Sequence, residues 1–143
     1  MRIVVVPASP KTGQATIRTL LADASKPAVT GVYRDVRRAP AEFTNNPRFT
    51  AVEGDVADAK RLLGPALDCY SQDADAVATI TPPLHAEADP IAKARELAGN
   101  VKHAITARKA SVKRLVYISS VGTQLEHGTV FKYPISISIP ISI

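Results

Sequence analysis

The sequence contains no tryptophan, and aromatic residues make up only 5% of it. Proteins that bind single-stranded nucleic acid stack bases on aromatic side chains, so this composition argues against such a platform. No apolar run approaches the roughly 20 residues that a membrane-spanning helix needs. Only Arg2 separates Met1 from the first apolar run, which ends at Val6 and is too short for a secretory signal. We therefore expect no membrane partner.

Cysteine is almost absent as well. Cys69 is the single cysteine, so an internal disulfide is excluded and a reducing, cytoplasmic location is expected. Cys69 has no neighbouring base in the sequence, which favours a packed thiol over a nucleophile. The three histidines, His85, His103 and His127, do not have the spacing of metal ligands. The sequence thus predicts no metal site.

The positive charge invites a nucleic-acid interpretation, because the net charge is +5 and the sequence pI is about 9.6. The basic residues are nevertheless spread along the chain, and no helix-turn-helix or zinc pattern organises them. A solvated basic surface is the interpretation that we favour over DNA binding. We therefore expect no nucleic-acid partner. With 143 residues, the chain is long enough for one domain with a real core.

Short apolar runs alternate with helical patterns along the chain. The runs predicted as strands are Ile3–Val6, Ala28–Tyr33, Phe49–Val52, Ala76–Ile80 and Leu115–Ser119. The patterns predicted as helices are Gly13–Asp23, Ala57–Leu67 and Glu87–Ala110, the last with an apolar stripe of Ile91, Ala94, Ala98, Val101 and Ile105. This alternation predicts an α/β class with a Rossmann-like, doubly wound parallel sheet of about five strands.

The loop after the first strand is the first candidate for a phosphate site. A strand, a turn of small residues and a helix begin a dinucleotide-binding unit, whose glycine fingerprint lets the backbone approach the pyrophosphate. Here Pro7 and Pro10 stand where two of the glycines would be, and only the third, Gly13, is present. The candidate groups are Ala8, Ser9, Thr12 and Gly13, with the N–H groups from residue 8 to 13, except at the proline, expected to be free. The alternative is a plain strand-to-helix turn.

A basic cluster follows the second strand. Arg34 lies where an acidic residue would bind the ribose 2′-hydroxyl of NAD and where an arginine would accommodate the 2′-phosphate of NADP. Asp35 leaves the choice open, while Arg37 and Arg38 favour NADP over NAD. The alternative is an exposed basic turn.

Other candidates follow the third, fourth and fifth strands. Asp55 would accept a hydrogen bond from the adenine amino group and Val56 would pack on the ring, unless Asp55 only caps the next helix. Thr81 and Pro82 end the fourth strand, at the sheet edge where α/β proteins bind ligands. Ser119, Ser120 and Gly122 end the fifth strand at the same edge, and Ser120 or Thr123 is the candidate there for contact with nicotinamide or substrate.

The residues for catalysis are not identified by the sequence. A Ser-Tyr-Lys arrangement needs a lysine four residues after a tyrosine. Tyr33, Tyr70, Tyr117 and Tyr133 are instead followed at that distance by Arg37, Ala74, Val121 and Ile137. The catalytic residues and the small-molecule substrate therefore stay unassigned.

These motifs together resemble the NmrA-like branch of the atypical short-chain dehydrogenases. The matching segments are the PASPKTG loop, Tyr33-Arg34, Gly54-Asp55-Val56, residues 80–83, Asn100-Val101 and residues 112–122. The resemblance implies NAD(P) binding, in a reductase or in a redox-sensing regulator that binds a protein partner without catalysis. It also implies further sheet and a substrate-binding region, where this chain instead ends. A truncated remnant without function is the third hypothesis.

Residues 130–143 differ in character from everything before them. Isoleucine alternates with serine and proline from Ile135 to Ile143, a pattern of low complexity. We expect residues 1–129 to form the NAD(P)-binding domain and residues 130–143 to be an atypical tail. A low-charge alternating segment promotes pairing of strands, so we expect the tail either to dock as an irregular edge strand on its own domain or to drive self-association.

Overall fold

A computed structural model gives the fold of residues 1–62, 74–82, 84, 87–106 and 112–118, to which the structural description refers. The strands are β1 (Arg2–Val6), β2 (Ala28–Tyr33), β3 (Phe49–Glu53), β4 (Ala76–Ile80) and β5 (Arg114–Ile118). The helices are α1 (Lys11–Ala22), α2 (Ala41–Thr44), α3 (Ala59–Leu62) and α4 (Pro90–Thr106), with a 3-10 turn at Val36–Arg38.

The five strands form one sheet in the order β3-β2-β1-β4-β5, and every neighbouring pair is parallel. Apolar β-branched residues dominate the central strands, and β4 is buried along its whole length because helices cover both faces of a parallel sheet. The predicted Rossmann-like α/β class is confirmed. The predicted Ser119 end of β5, the predicted helix ends at Leu67 and Ala110, and the tail from residue 130 lie outside the described residues.

The core has two halves, one on each face of the sheet. One half packs α1 and α2 against the sheet and contains Ile17, Phe43, Phe49 and Tyr33. The other packs α3 and α4 and includes Val4, Val32, Val56 and Leu62. Along a strand, alternate side chains belong to opposite halves, as the pleat requires.

The inner face of α4 differs slightly from the predicted stripe. Its buried residues are Ala94, Leu97, Val101, Ala104 and Ile105. Ile91 and Ala98 are only half-buried, so Leu97 and Ala104 take their place in the core. The predicted stripe was therefore correct in three of its positions and slightly misplaced around the helix.

At the amino-terminal edge of the sheet, Asp75 joins the start of β1 to the start of β5. Its carboxylate accepts a hydrogen bond from Arg2 N–H at 2.9 Å and lies 3.6 Å from Lys113 Nζ. Its carbonyl accepts from the N–H groups of Lys113 and Arg114 at 3.1 and 3.2 Å. The Arg2 N–H, followed by the nearby positive charges, lowers the pKa of Asp75. No helix in the described ranges is long and apolar enough to span a membrane.

Candidate dinucleotide site

The carboxyl ends of the strands bring the candidate residues to one edge of the sheet. The strand order reverses between β1 and β4, since β2 and β3 lie on one side of β1 and β4 and β5 on the other. Open α/β sheets bind ligands in the crevice at such a switch point. The residues that follow β1, β2, β3 and β4 there are Pro7, Arg34, Gly54 and Thr81. Ser119, Ser120, Gly122 and Thr123 lie outside the described residues.

The loop between β1 and α1 is held tightly against the sheet. Ala8 is fully buried, and its N–H donates to Val32 O at 2.9 Å. The expectation that this N–H is free is therefore wrong, because the loop continues the hydrogen bonding of β1 to β2. The exposed Ser9 is fixed through its carbonyl, which accepts from Gln14 Nε2 at 2.9 Å.

The start of α1 presents backbone donors next to this loop. Pro10 occupies the cap position, and no side chain caps the helix. The N–H groups of Lys11, Thr12 and Gly13 fall in the first turn, where an α-helix supplies no backbone acceptor. Unsatisfied N–H groups and the helix dipole together favour a phosphate at this place.

Gly13 allows α1 to approach the loop closely. A Cβ at this position would lie 2.7 Å from Pro7 O and 2.8 Å from Ala8 O, both backbone atoms. This is the close packing of helix against strand for which the third glycine of the dinucleotide fingerprint is used. Residues 7–10 and the first turn of α1 are together called the phosphate cradle, and it keeps the close helix-to-strand packing of a pyrophosphate site although the first two glycines are replaced.

Asp35 and Arg37 form a pair after β2. Asp35 Oδ1 accepts from Arg37 N at 3.0 Å and from Arg37 Nε at 2.9 Å, while Oδ2 accepts from Arg37 Nη2 at 3.1 Å. The Arg37 guanidinium is the main cause of a lowered pKa of Asp35, followed by the Arg37 backbone N–H. The carboxylate thus starts the 3-10 turn and is held by one arginine.

Arg34 and Arg38 are exposed on the same segment. Within the described ranges, neither guanidinium has a carboxylate partner. The pairing of Asp35 with Arg37 therefore leaves two arginines of this cluster available for an anion.

Arg61 is a neighbour of this cluster that the sequence analysis missed. It extends from α3, where its Nη2 donates to Glu53 Oε1 at 2.6 Å and to Arg34 O at 3.3 Å. These contacts join residues 8 and 27 positions apart. No motif marks such a contact, since it depends on how α3 packs beside the end of β3.

The segment Gly54-Asp55-Val56 forms a turn between β3 and α3. Gly54 N–H donates to Tyr33 O at 2.8 Å, and Asp55 Oδ1 accepts from Ala57 N at 2.9 Å. The expected helix start near Ala57 is two residues early, because α3 begins at Ala59. Asp58, which accepts from Lys60 N and Arg61 N at 2.9 and 3.3 Å, caps it in place of Asp55. The side chain of Val56 is buried in the core.

Thr81 and Pro82 are half-buried after β4. Thr81 Oγ1 forms a short hydrogen bond with the hydroxyl of Tyr117 on β5. Tyr117 is a second neighbour that the sequence did not assign to the site, and it lies here because the register of β4 and β5 pairs it with Thr79.

His103 is exposed on α4. Among the described residues no cluster of three metal-ligating side chains is found.

These features define a dinucleotide-binding α/β domain. The chain belongs to the NAD(P)H-binding family, whose model matches residues 8–136. The predicted NAD(P)-binding family is thereby confirmed at the level of this NAD(P)H-binding model. No curated protein matches the chain.

Solved structures share the fold at low sequence identity. The yeast methylglyoxal/isovaleraldehyde reductase Gre2, complexed with NADPH, is 24% identical with a TM-score of 0.68, over 86% of this chain and 39% of its own. Gre2 from Candida albicans, also an NADPH complex, is 21% identical with a TM-score of 0.70, over 84% of this chain and 37% of its own. The triphenylmethane reductase of Citrobacter sp. is 21% identical with a TM-score of 0.65, over 87% of this chain and 39% of its own. The chain therefore spans less than half the length of these structures.

Proposed function

We propose that the chain binds NADP(H) in preference to NAD(H) and functions as an NADP-dependent oxidoreductase that acts on a small-molecule substrate. The bound dinucleotide would supply the hydride, while the protein orients it. The observation that carries the proposal is the pairing of Asp35 with Arg37, which leaves Arg34 and Arg38 without a carboxylate in the described ranges.

The charges after β2 favour the phosphorylated cofactor for two reasons. The acidic residue that would accept from the ribose hydroxyl of NAD is already bound by Arg37. The remaining guanidiniums of Arg34 and Arg38 suit a phosphate, which arginine binds through paired, charge-assisted hydrogen bonds. The NADPH complexes among the similar folds support the same cofactor.

The other candidate residues have roles along the length of the dinucleotide. Gly13, with the first-turn N–H groups and the hydroxyls of Ser9 and Thr12, would hold the pyrophosphate. Ala8 shapes the loop through its bond to β2. Asp55 and Val56 would lie at the adenine end. Thr81 and Pro82 would lie toward the nicotinamide, beyond the switch point.

The test compares NADPH and NADH binding by calorimetry in the wild type, Arg34→Ala and Arg38→Ala. Loss of a charge-assisted hydrogen bond should weaken NADPH binding by about tenfold or more, with little change for NADH. Arg18→Ala is the control, because the Arg18 side chain on α1 is already paired with Glu42 of α2 at 2.5 Å, and this substitution should change neither affinity. Equal wild-type affinities for NADPH and NADH would overturn the proposed specificity.

A non-catalytic sensor of NADP(H) that binds a protein partner is the second candidate. It is favoured by the absence from the sequence of a tyrosine followed four residues later by lysine. Incubation with NADPH and a panel of aldehydes, ketones and quinones separates the two functions. Loss of the nicotinamide absorbance at 340 nm supports the oxidoreductase, while tight binding without turnover supports the sensor.

A further inference from the structure

We propose that Asn100 on α4 is a positioning residue for the adenine end of the site, holding the turn that carries Asp55. The inference rests on the proposed function. It assigns a role in nucleotide recognition to a helix that contributes no residue to the candidate site described above.

The contact that carries this inference joins distant parts of the chain. Asn100 Nδ2 donates to Val56 O at 2.8 Å, across 44 positions of sequence, in a partly buried place. Leu97 and Val101 on the same helix are buried in the core half that contains Val56. The bond therefore ties the turn to a rigid, packed helix.

The other hydrogen bonds of the turn do not provide this tie. Asp55 Oδ1 and Asp55 O accept from the N–H groups of Ala57 and Asp58, within the turn itself. Gly54 N–H reaches back to Tyr33 O at the end of β2. Among the described residues, Asn100 makes the hydrogen bond that fixes the turn relative to α4.

The position of the turn decides what Asp55 can recognise. Its Oδ1 is engaged by Ala57 N–H, while its Oδ2 has no hydrogen-bond partner in the described ranges. An ionised carboxylate only accepts hydrogen bonds, so this oxygen can bind the exocyclic amino group of adenine. Hypoxanthine has an oxygen at that position, which the carboxylate would repel. Asp55 thus distinguishes the two bases only where the turn is held in place.

The experiment measures the full chain with NADPH and with its hypoxanthine analogue, in which oxygen replaces the adenine amino group. The wild type should prefer NADPH by about tenfold, the effect of one hydrogen bond to a charged group. Asn100→Ala and Asn100→Leu should reduce this preference to about twofold or less, because both lack the donor and the leucine keeps the volume. Asn45→Ala, at an exposed asparagine after α2, is the matched control and should keep the full preference.

The ratio of the two affinities separates positioning from a merely structural role. A general loss of folding or affinity weakens both ligands equally and leaves the ratio unchanged, and this outcome would overturn the inference. A wild type that binds NADPH without discriminating against the analogue would overturn it as well. A wild type that binds neither ligand instead refutes the proposed function.

Discussion

Replacement of Gly13 by alanine tests the geometry on which the phosphate cradle depends. The added Cβ would lie 2.7 Å from Pro7 O, 2.8 Å from Ala8 O and 3.0 Å from Ala8 C. All three are backbone atoms, so no side chain can rotate away to make room. Either α1 must move outward or the loop after β1 must deform, and each change displaces backbone donors from the cradle.

The expected change in the free energy of unfolding is the sum of two opposing effects. Overpacking of a tight contact costs about 1–3 kcal/mol, while alanine in place of glycine inside a helix gains about 0.5–1 kcal/mol. We expect Gly13→Ala to lower the free energy of unfolding by about 0.5–2 kcal/mol. The chain also offers a matched control in Gly99 on α4, where a Cβ would meet no atom within 4 Å. Gly99→Ala should therefore raise the free energy of unfolding by about 0.5–1 kcal/mol.

Thermal unfolding of both variants and of the wild type gives the comparison. A change of 1 kcal/mol shifts the melting temperature of a domain of this size by about 4 °C, so the two substitutions should move it in opposite directions. NADPH binding should weaken in Gly13→Ala and stay unchanged in Gly99→Ala. If Gly13→Ala is as stable as Gly99→Ala and binds NADPH like the wild type, the reasoning about the cradle is refuted.

Tyr33 and Asp75 give further tests away from the cradle. The Tyr33 hydroxyl is buried and has no hydrogen-bond partner among the residues that the structure describes, and burial raises its pKa from 10.0 to about 12. Tyr33→Phe should therefore raise the free energy of unfolding by about 1 kcal/mol in denaturant titrations. The wild type should lose stability above pH 10, where the unfolded tyrosine ionises first, and the variant should lose less. A less stable variant would show that the hydroxyl has a partner. The pKa of Asp75 is lowered from 3.8, so its contribution is present above that pH and fades as the pH falls through the folded-state pKa. Asp75→Asn should destabilise the protein at neutral pH and reduce its sensitivity to acid, and identical acid unfolding curves would contradict this.

The central strands β1, β2 and β4 were predictable because each is a short apolar run that is buried on both faces, and the edge strands β3 and β5 are short apolar runs that are partly buried. The bounds of β2 and β4 agree with the predicted residues, and β1 and β3 are each longer by one residue. The helix α2 and the 3-10 turn were missed, since four and three residues are too short to show a helical period. Phe43 shows why α2 forms nevertheless: its ring is buried and packs 5.6 Å from the ring of Phe49.

The residues of the candidate site were predictable where they follow strands, and their contacts were not. Position after a strand places Arg34, Asp55 and Thr81 at one edge of the sheet by topology alone. The hydrogen bonds of Ala8 to β2, of Arg61 to Glu53 and of Asn100 to Val56 join segments that only the packed fold brings together. Sequence spacing carries no signal for such contacts.

Charge at this site depends on pairing more than on composition. The net charge of +5 is compatible with a general basic surface, and the cluster after β2 is basic by count alone. One of its three guanidiniums, that of Arg37, is nevertheless paired with Asp35, and the neighbouring Arg61 is paired with Glu53. The excess of two positive charges then lies on Arg34 and Arg38, on one short segment after β2. A 2′-phosphate is a compact anion, so two guanidiniums on one short segment can both bind it at short range. Basic residues spread over the surface could not give the same stabilisation. A localised excess of this kind favours a small phosphorylated ligand over an extended polyanion, whose binding draws on many separate phosphate contacts.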